Sequence, residues 1–172
     1  SGFSLQTRTL LKGAGQCHDS DSASATVKRS TFSIADEKSV VRWMRRFDED
    51  GSPFTKEDGT PSPEWVAWAD EGRQLPDAEQ ILLHLARKGD SSDILTIIQA
   101  IGAVGSEQSI PFLTEVSRGD SDLMAVRANY ALGDIGSPEC VIPLLRSFTL
   151  EHDSGIWRSA AYSLVKMNPP EF

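Results

Sequence analysis

Ala100–Leu113 reads AIGAVGSEQSIPFL, and nearly the same phrase returns at Ala131–Leu145 as ALGDIGSPECVIPLL. Gly102 aligns with Gly133 and Gly105 with Gly136, each 31 residues further on. A fainter copy, SLVKMN, sets Leu164 and Asn168 32 residues after Leu132 and Gly136. Asn is the usual substitute for Gly where a helix closes in a left-handed residue, so Gly105, Gly136 and Asn168 read as one stop signal used three times. The paired glycines lack the strand-then-helix setting of a phosphate loop and are expected to terminate helices.

The apolar residues around the phrase step at helical intervals. Met124, Ala128, Leu132 and Ile135 share one face, and Ile156, Ala160, Leu164 and Met167 repeat the pattern. Ile97, Ile101 and Val104 fill the matching places in the earlier copy. A second stripe follows each glycine pair: Ile110, Leu113 and Val116, then Val141, Leu144 and Phe148. Pro111 and Pro143 fit near the start of that second helix, where backbone donors have no partner in any case. GDSSD (89–93), GDSD (119–122) and HDSG (152–155) supply polar turns whose Asp or Ser can cap the next helix. Counting backwards, EQILLHLARK (79–88) is the second helix of a repeat whose first helix has lost its pattern, with Trp65 and Trp68 as its remnant or as a cap.

A lone helical hairpin cannot bury its apolar face, whereas stacked neighbours can. A period near 31 residues therefore predicts an all-α fold, an α/α superhelical solenoid. The phrase ALGDIGSPECVIPLL resembles the short HEAT-like repeats, the type also called phycobilisome-lyase HEAT-like repeats. The resemblance spans residues 79–167. It implies that Arg127 and Arg158, a residue or two off the family register, form ion pairs between repeats with aspartates such as Asp120, Asp122 and Asp153. It further implies that the second helices line a concave, protein-binding side.

Three segments are expected: an extension over 1–32, a capping helix with an acidic loop over 33–75, and repeats over 76–172. In the extension, Phe3–Leu11 and Ala25–Ile34 read as two short strands around a polar loop, or as a disordered tail. SIADEKSVVRWMRRF (33–47) reads as an amphipathic helix capped by Ser33, with Ile34, Val40, Val41, Met44 and Phe47 inward. It is expected to cover the open end of the stack. Asp48–Pro63 reads as a loop.

Chain-wide properties narrow the function. The 172 residues carry a net charge of −8. Residues 1–74 hold 10 Lys/Arg against 12 Asp/Glu, and residues 75–172 hold 7 against 13, so the repeats would repel a phosphate backbone. No apolar run reaches the roughly 20 residues of a membrane-spanning helix. The chain opens Ser1-Gly2, which reads as a processing scar and leaves the compartment open, the cytoplasm being the expectation. Cys17 and Cys140 allow a single bridge and no disulfide framework. Cys17, His18, Asp19 and Asp21 cluster like metal ligands but lack a second ligand pair. Asp48, Asp50 and Asp58 lack the Gly and Glu that a calcium loop needs. His84 has no nucleophile or carboxylate in evident reach, which places it on the surface. Trp43, Trp65 and Trp68 are expected in core or cap packing.

Neither a cofactor nor a metal is expected. The expected partner-binding residues are His84, Arg87 and Lys88 from one second helix, Glu107, Thr114, Glu115 and Arg118 around the next, and Glu139 and Arg146 around the last. Together they form a groove for an acidic or mixed-charge protein segment. The leading expectation is thus a non-enzymatic protein-binding module, such as a bacterial toxin-neutralising immunity protein or a regulatory or assembly domain. The alternative that the resemblance raises is a bilin lyase, attaching an open-chain tetrapyrrole to a phycobiliprotein.

Overall fold

The computed structural model describes residues 32–50, 61–88, 93–149 and 154–167. These contain eight α-helices and no strand: α1 Ile34–Asp50, α2 Pro63–Arg73, α3 Ala78–Lys88, α4 Ile94–Val104, α5 Ile110–Val116, α6 Asp122–Ile135, α7 Val141–Thr149 and α8 Ser154–Met167. Short 3-10 turns, Glu107–Ser109 and Pro138–Cys140, lead into α5 and α7. Of the two strand readings, only the end of the second falls within the described residues, and there Ile34 already belongs to α1. The backbone of Asp48–Asp50 also continues α1, so the acidic loop starts later than its composition implies. No helix among the described residues is long and apolar enough to cross a membrane.

Local chemistry accounts for the helix ends. Ser33 Oγ accepts from Asp36 N at 3.1 Å and donates to Asp36 Oδ2 at 2.7 Å, a reciprocal cap for α1. Ser62 caps α2 by accepting from Trp65 N at 3.1 Å, with Pro63 at the first helical position. Ser121 caps α6 through Met124 N. Asp93 precedes α4 without capping it, because its carboxylate is taken by Arg45 Nε and Nη2 at 2.9 and 2.7 Å. Gly136 has φ 68°, the left-handed closure its sequence implied. Gly105 is extended, with φ −70° and ψ 159°, so the two helices stop by different means. Asn168 lies outside the described residues.

Gly102 and Gly133 are not terminators. Both lie inside helices, at the contact with the next helix. A Cβ on Gly102 would stand 2.8 Å from Ala131 Cα, and one on Gly133 would stand 2.6 Å from Ser163 Cβ. Ala131 and Ser163 occupy equivalent places 32 residues apart in successive copies, so the same small-on-small contact joins α4 to α6 and α6 to α8. α4 thus packs closely on α6 and α6 on α8, while α3, α5 and α7 pack on α4, α6 and α8, the helices that follow them.

Ile97, Ile98, Ile101, Leu113, Leu132 and Leu144 are fully buried between these helices, each contributing about 1.5–3 kcal/mol by leaving water. Two apolar assignments do not hold. Phe148 and Ile34 are exposed, and Ser147 takes the inward place on α7. One buried polar group crosses the α6–α8 seam: Asn129 Nδ2 donates to Ile156 O at 3.2 Å and Ser159 Oγ at 3.1 Å, while Ser163 Oγ donates to Asn129 O at 2.8 Å.

The N-terminal end is held by tryptophan. Trp43 of α1 and Trp68 of α2 stack at 4.4 Å, and each indole N–H donates to the other residue's carbonyl, at 2.8 and 3.0 Å. Gly72 leaves room for the Trp43 ring. Trp65 packs at 5.0 Å from Trp68. α1 thereby docks on α2, α3 and α4, with Val40 and Met44 buried beneath it.

Candidate functional site

The residues expected to bind a partner fall on α3, α5, α7 and the turns before them. His84, Arg87 and Lys88 are exposed on α3, with His84 edge-on to Phe32 at 5.3 Å. Glu115 and Arg118 are exposed on and just after α5, and Thr114 is half-buried. The structure brings Arg87 and Glu115 together at the rim of a recess of about 380 Å³, completed by Pro111, Phe112 and Val116. Glu107 and Glu139 sit in the two 3-10 turns, and Glu107 accepts from Ser137 Oγ at 3.3 Å, one turn bonded to the next. Glu79 does the same in the preceding copy, accepting from Ser106 N at 2.8 Å and Ser109 Oγ at 2.6 Å. Arg146 is exposed on α7 and contributes nothing to the recess.

A second concavity lies where no partner residue was expected. It is lined from α2, α4, α6 and α8 and from Pro61 before α2, and encloses about 290 Å³. Trp65, Tyr130 and Tyr162 give it aromatic walls, the two tyrosine rings meeting edge to face at 5.7 Å. Ala131 is its small residue, and Gln99, Arg127, Asp134 and Lys166 are its polar ones. Arg127 Nη1 donates to Gln99 Oε1 at 3.4 Å, which turns Gln99 Nε2 away; that nitrogen is buried without an acceptor. Lys166 Nζ donates to Asp134 Oδ1 across the α6–α8 seam. Burial outweighs the opposing pull of Lys166 and Arg73 and holds the Asp134 carboxyl above its ordinary range.

Of the aspartates the resemblance pairs with Arg127 and Arg158, Asp153 lies outside the described residues. Arg127 bridges copies through Gln99, a neutral amide. Arg158 is exposed, its guanidinium 6.0 Å from the Trp157 ring centroid. Among the described residues Lys166–Asp134 ties α6 to α8, and α1 is tied down by Arg45–Asp93 and Arg46–Glu71.

Cys140 is a fully buried free thiol, pushed up to about 11 chiefly by burial. Cys17, His18, Asp19, Asp21 and Asp58 lie outside the described residues, as do the side chains of Asp48 and Asp50. Among the described residues no group of three or more His, Cys, Asp or Glu is placed to hold a metal ion.

The missed cavity does have a sequence signal. Gln99, Tyr130 and Tyr162 stand at one repeat position, spaced by 31 and then 32 residues, as Ala103, Asp134 and Lys166 do at another. Reading the repeats by position on the first helices as well as the second exposes both columns. Comparison with family models and with curated proteins finds no match to this chain.

Proposed function

We propose that this chain is a HEAT-like α-solenoid module that captures an acidic or mixed-charge segment of another protein on the outward faces of α3, α5 and α7. The observation that carries the reading is the recess between α3 and α5, which Arg87 and Glu115 line together with Phe112. An apolar spot rimmed by opposite charges can seat one side chain of a peptide while the rim sets its register.

The charge balance of this face favours a segment that carries both signs. Arg87, Lys88, Arg118 and Arg146 are set against Glu79, Glu107, Glu115 and Glu139, a balance of signs that suits a mixed-charge segment on a chain whose net charge is −8. Small-on-small contacts at the same repeat position in α4, α6 and α8 support the stacked arrangement that the reading needs.

The test is Arg87→Glu, Arg118→Glu and Arg146→Glu combined in the full chain. All three are exposed, so the thermal unfolding midpoint should move little. Proteins captured from a lysate of the source organism by the wild type should be lost from the triple variant. Capture that survives the charge reversal would refute the assignment.

A further inference from the structure

The cavity between α2, α4, α6 and α8 shares no residue with the α3/α5/α7 face, and its lining has a chemistry of its own. Gln99 is one of its polar lining residues. The contact from Arg127 occupies Oε1, so the amide cannot simply turn over, and Nε2 is left as a buried donor with nothing to receive it. Such groups are costly and uncommon in folded proteins. An occupant offering an oxygen would satisfy it.

Donor and acceptor chemistry selects among possible occupants. Arg127 and Lys166 bring two positive charges to the cavity, Asp134 brings one carboxylate, and that carboxylate already accepts from Lys166. Gln99 Nε2 and the Arg127 guanidinium are donors, so an occupant that offers acceptor oxygens is favoured over an ammonium, which would bring only further donors. Shape narrows the choice further. Trp65, Tyr130 and Tyr162 present ring surfaces, and a volume of about 290 Å³ admits one single or fused ring with a short substituent. It sits at the small end of ligand sites, below what a long flexible molecule fills.

We infer that this cavity binds a small aromatic carboxylate. The ring lies against the aromatic wall, and the carboxylate oxygens accept from Gln99 Nε2 and the Arg127 guanidinium. Asp134 and Lys166 hold the opposite side as a pair and deny it to a second anion. The site is independent of partner capture, and either can fail alone.

The experiment is isothermal titration calorimetry of the full chain with benzoate and indole-3-carboxylate, with benzylamine as the cationic counterpart. At least one carboxylate should bind saturably with a Kd of about 1 mM or tighter, as befits so small a ligand. Benzylamine should show no saturable heat. Gln99→Leu, similar in size but without the amide, should weaken carboxylate binding by about tenfold or more while leaving thermal unfolding unchanged or slightly raised. Tyr130→Ala, at a side chain that is 38% exposed, should also weaken it and carries the same test should the first variant fold poorly. No saturation by either carboxylate at about 10 mM overturns the proposal, as does equal affinity for benzylamine or undiminished affinity in both variants.

Discussion

Replacing Gly133 with alanine tests the α6–α8 seam directly, because two effects of known size oppose each other there. Alanine in a helix interior is favoured over glycine by about 1 kcal/mol. The new methyl would stand 2.6 Å from both Cβ and Oγ of Ser163 and 3.0 Å from its Cα. Carbon atoms pack at about 3.5–4.0 Å, so α8 must retreat by the better part of an ångström, and a side-chain rotation cannot relieve a clash with Cα. Overpacking of this kind costs about 1–3 kcal/mol. The retreat also stretches the bonds from Ser163 Oγ to Asn129 O at 2.8 Å and from Asn129 Nδ2 to Ser159 Oγ at 3.1 Å, each worth about 1 kcal/mol. The steric side wins, and Gly133→Ala should lose about 1–3 kcal/mol, lowering Tm by about 2–4 °C per kcal/mol. Urea unfolding followed by circular dichroism at 222 nm measures this, and the same substitution in a Ser163→Gly background should cost less. A gain of about 1 kcal/mol from Gly133→Ala alone would show that the seam is open and refute the close approach.

Three further expectations follow from the same contacts. Trp43→Phe should change the far-ultraviolet circular dichroism at about 220–230 nm, where the strong indole transitions of the 4.4 Å pair couple, and cost about 1–3 kcal/mol; an unchanged spectrum would refute the stacked pair. Asp134 binds its proton more tightly folded than unfolded, so its contribution to stability is fully present below its unfolded value and is lost as pH rises through the folded one. The stability of the wild type relative to Asp134→Asn should therefore fall as pH rises through and above the ordinary carboxylate range, and urea titrations showing it rise would reverse the assigned cause. In a Cys17→Ser variant, Cys140 should resist a disulfide exchange reagent at neutral pH until the protein is unfolded, since burial holds the thiol up at about 11; rapid reaction of the folded protein would show that the α7 region opens.

How far these features could be read in advance depended on whether neighbouring residues or distant ones decide them. Helix stripes such as Ile97, Ile101 and Val104 are local in origin, and they face inward as their spacing implies. Ser33, Ser62 and Ser121 cap for equally local reasons. Asp93 has the same capping chemistry but meets Arg45 from α1, 48 residues earlier, which local spacing cannot reveal. Gly102 and Gly105 look alike in sequence, yet one makes room for Ala131 and the other ends a helix. Only the packing partner separates those roles. Phe148 fits the apolar stripe and is nevertheless exposed, edge-on to Trp157 at 6.3 Å, because α7 presents Ser147 to its neighbour instead.

The candidate cavity shows why repetition helps the reading of a fold more than the reading of a site. A repeated position makes stacking possible where its residues stay small, as Gly102 with Ala131 and Gly133 with Ser163 do. A site requires the opposite, since identical side chains stacked along a column give a uniform stripe with no address. Here one column changes from Gln99 to Tyr130 to Tyr162, and its neighbour from Ala103 to Asp134 to Lys166. Each change departs from the repeat. One yields the edge-to-face tyrosines, and the other places a cation against a carboxylate that burial disfavours. Gln99, at the head of its column, then keeps a donor that the stacking leaves unmatched. If the columns served stacking alone, Gln99→Leu would improve stability at no cost to any binding. The cavity is therefore best tested by measuring what that substitution takes away.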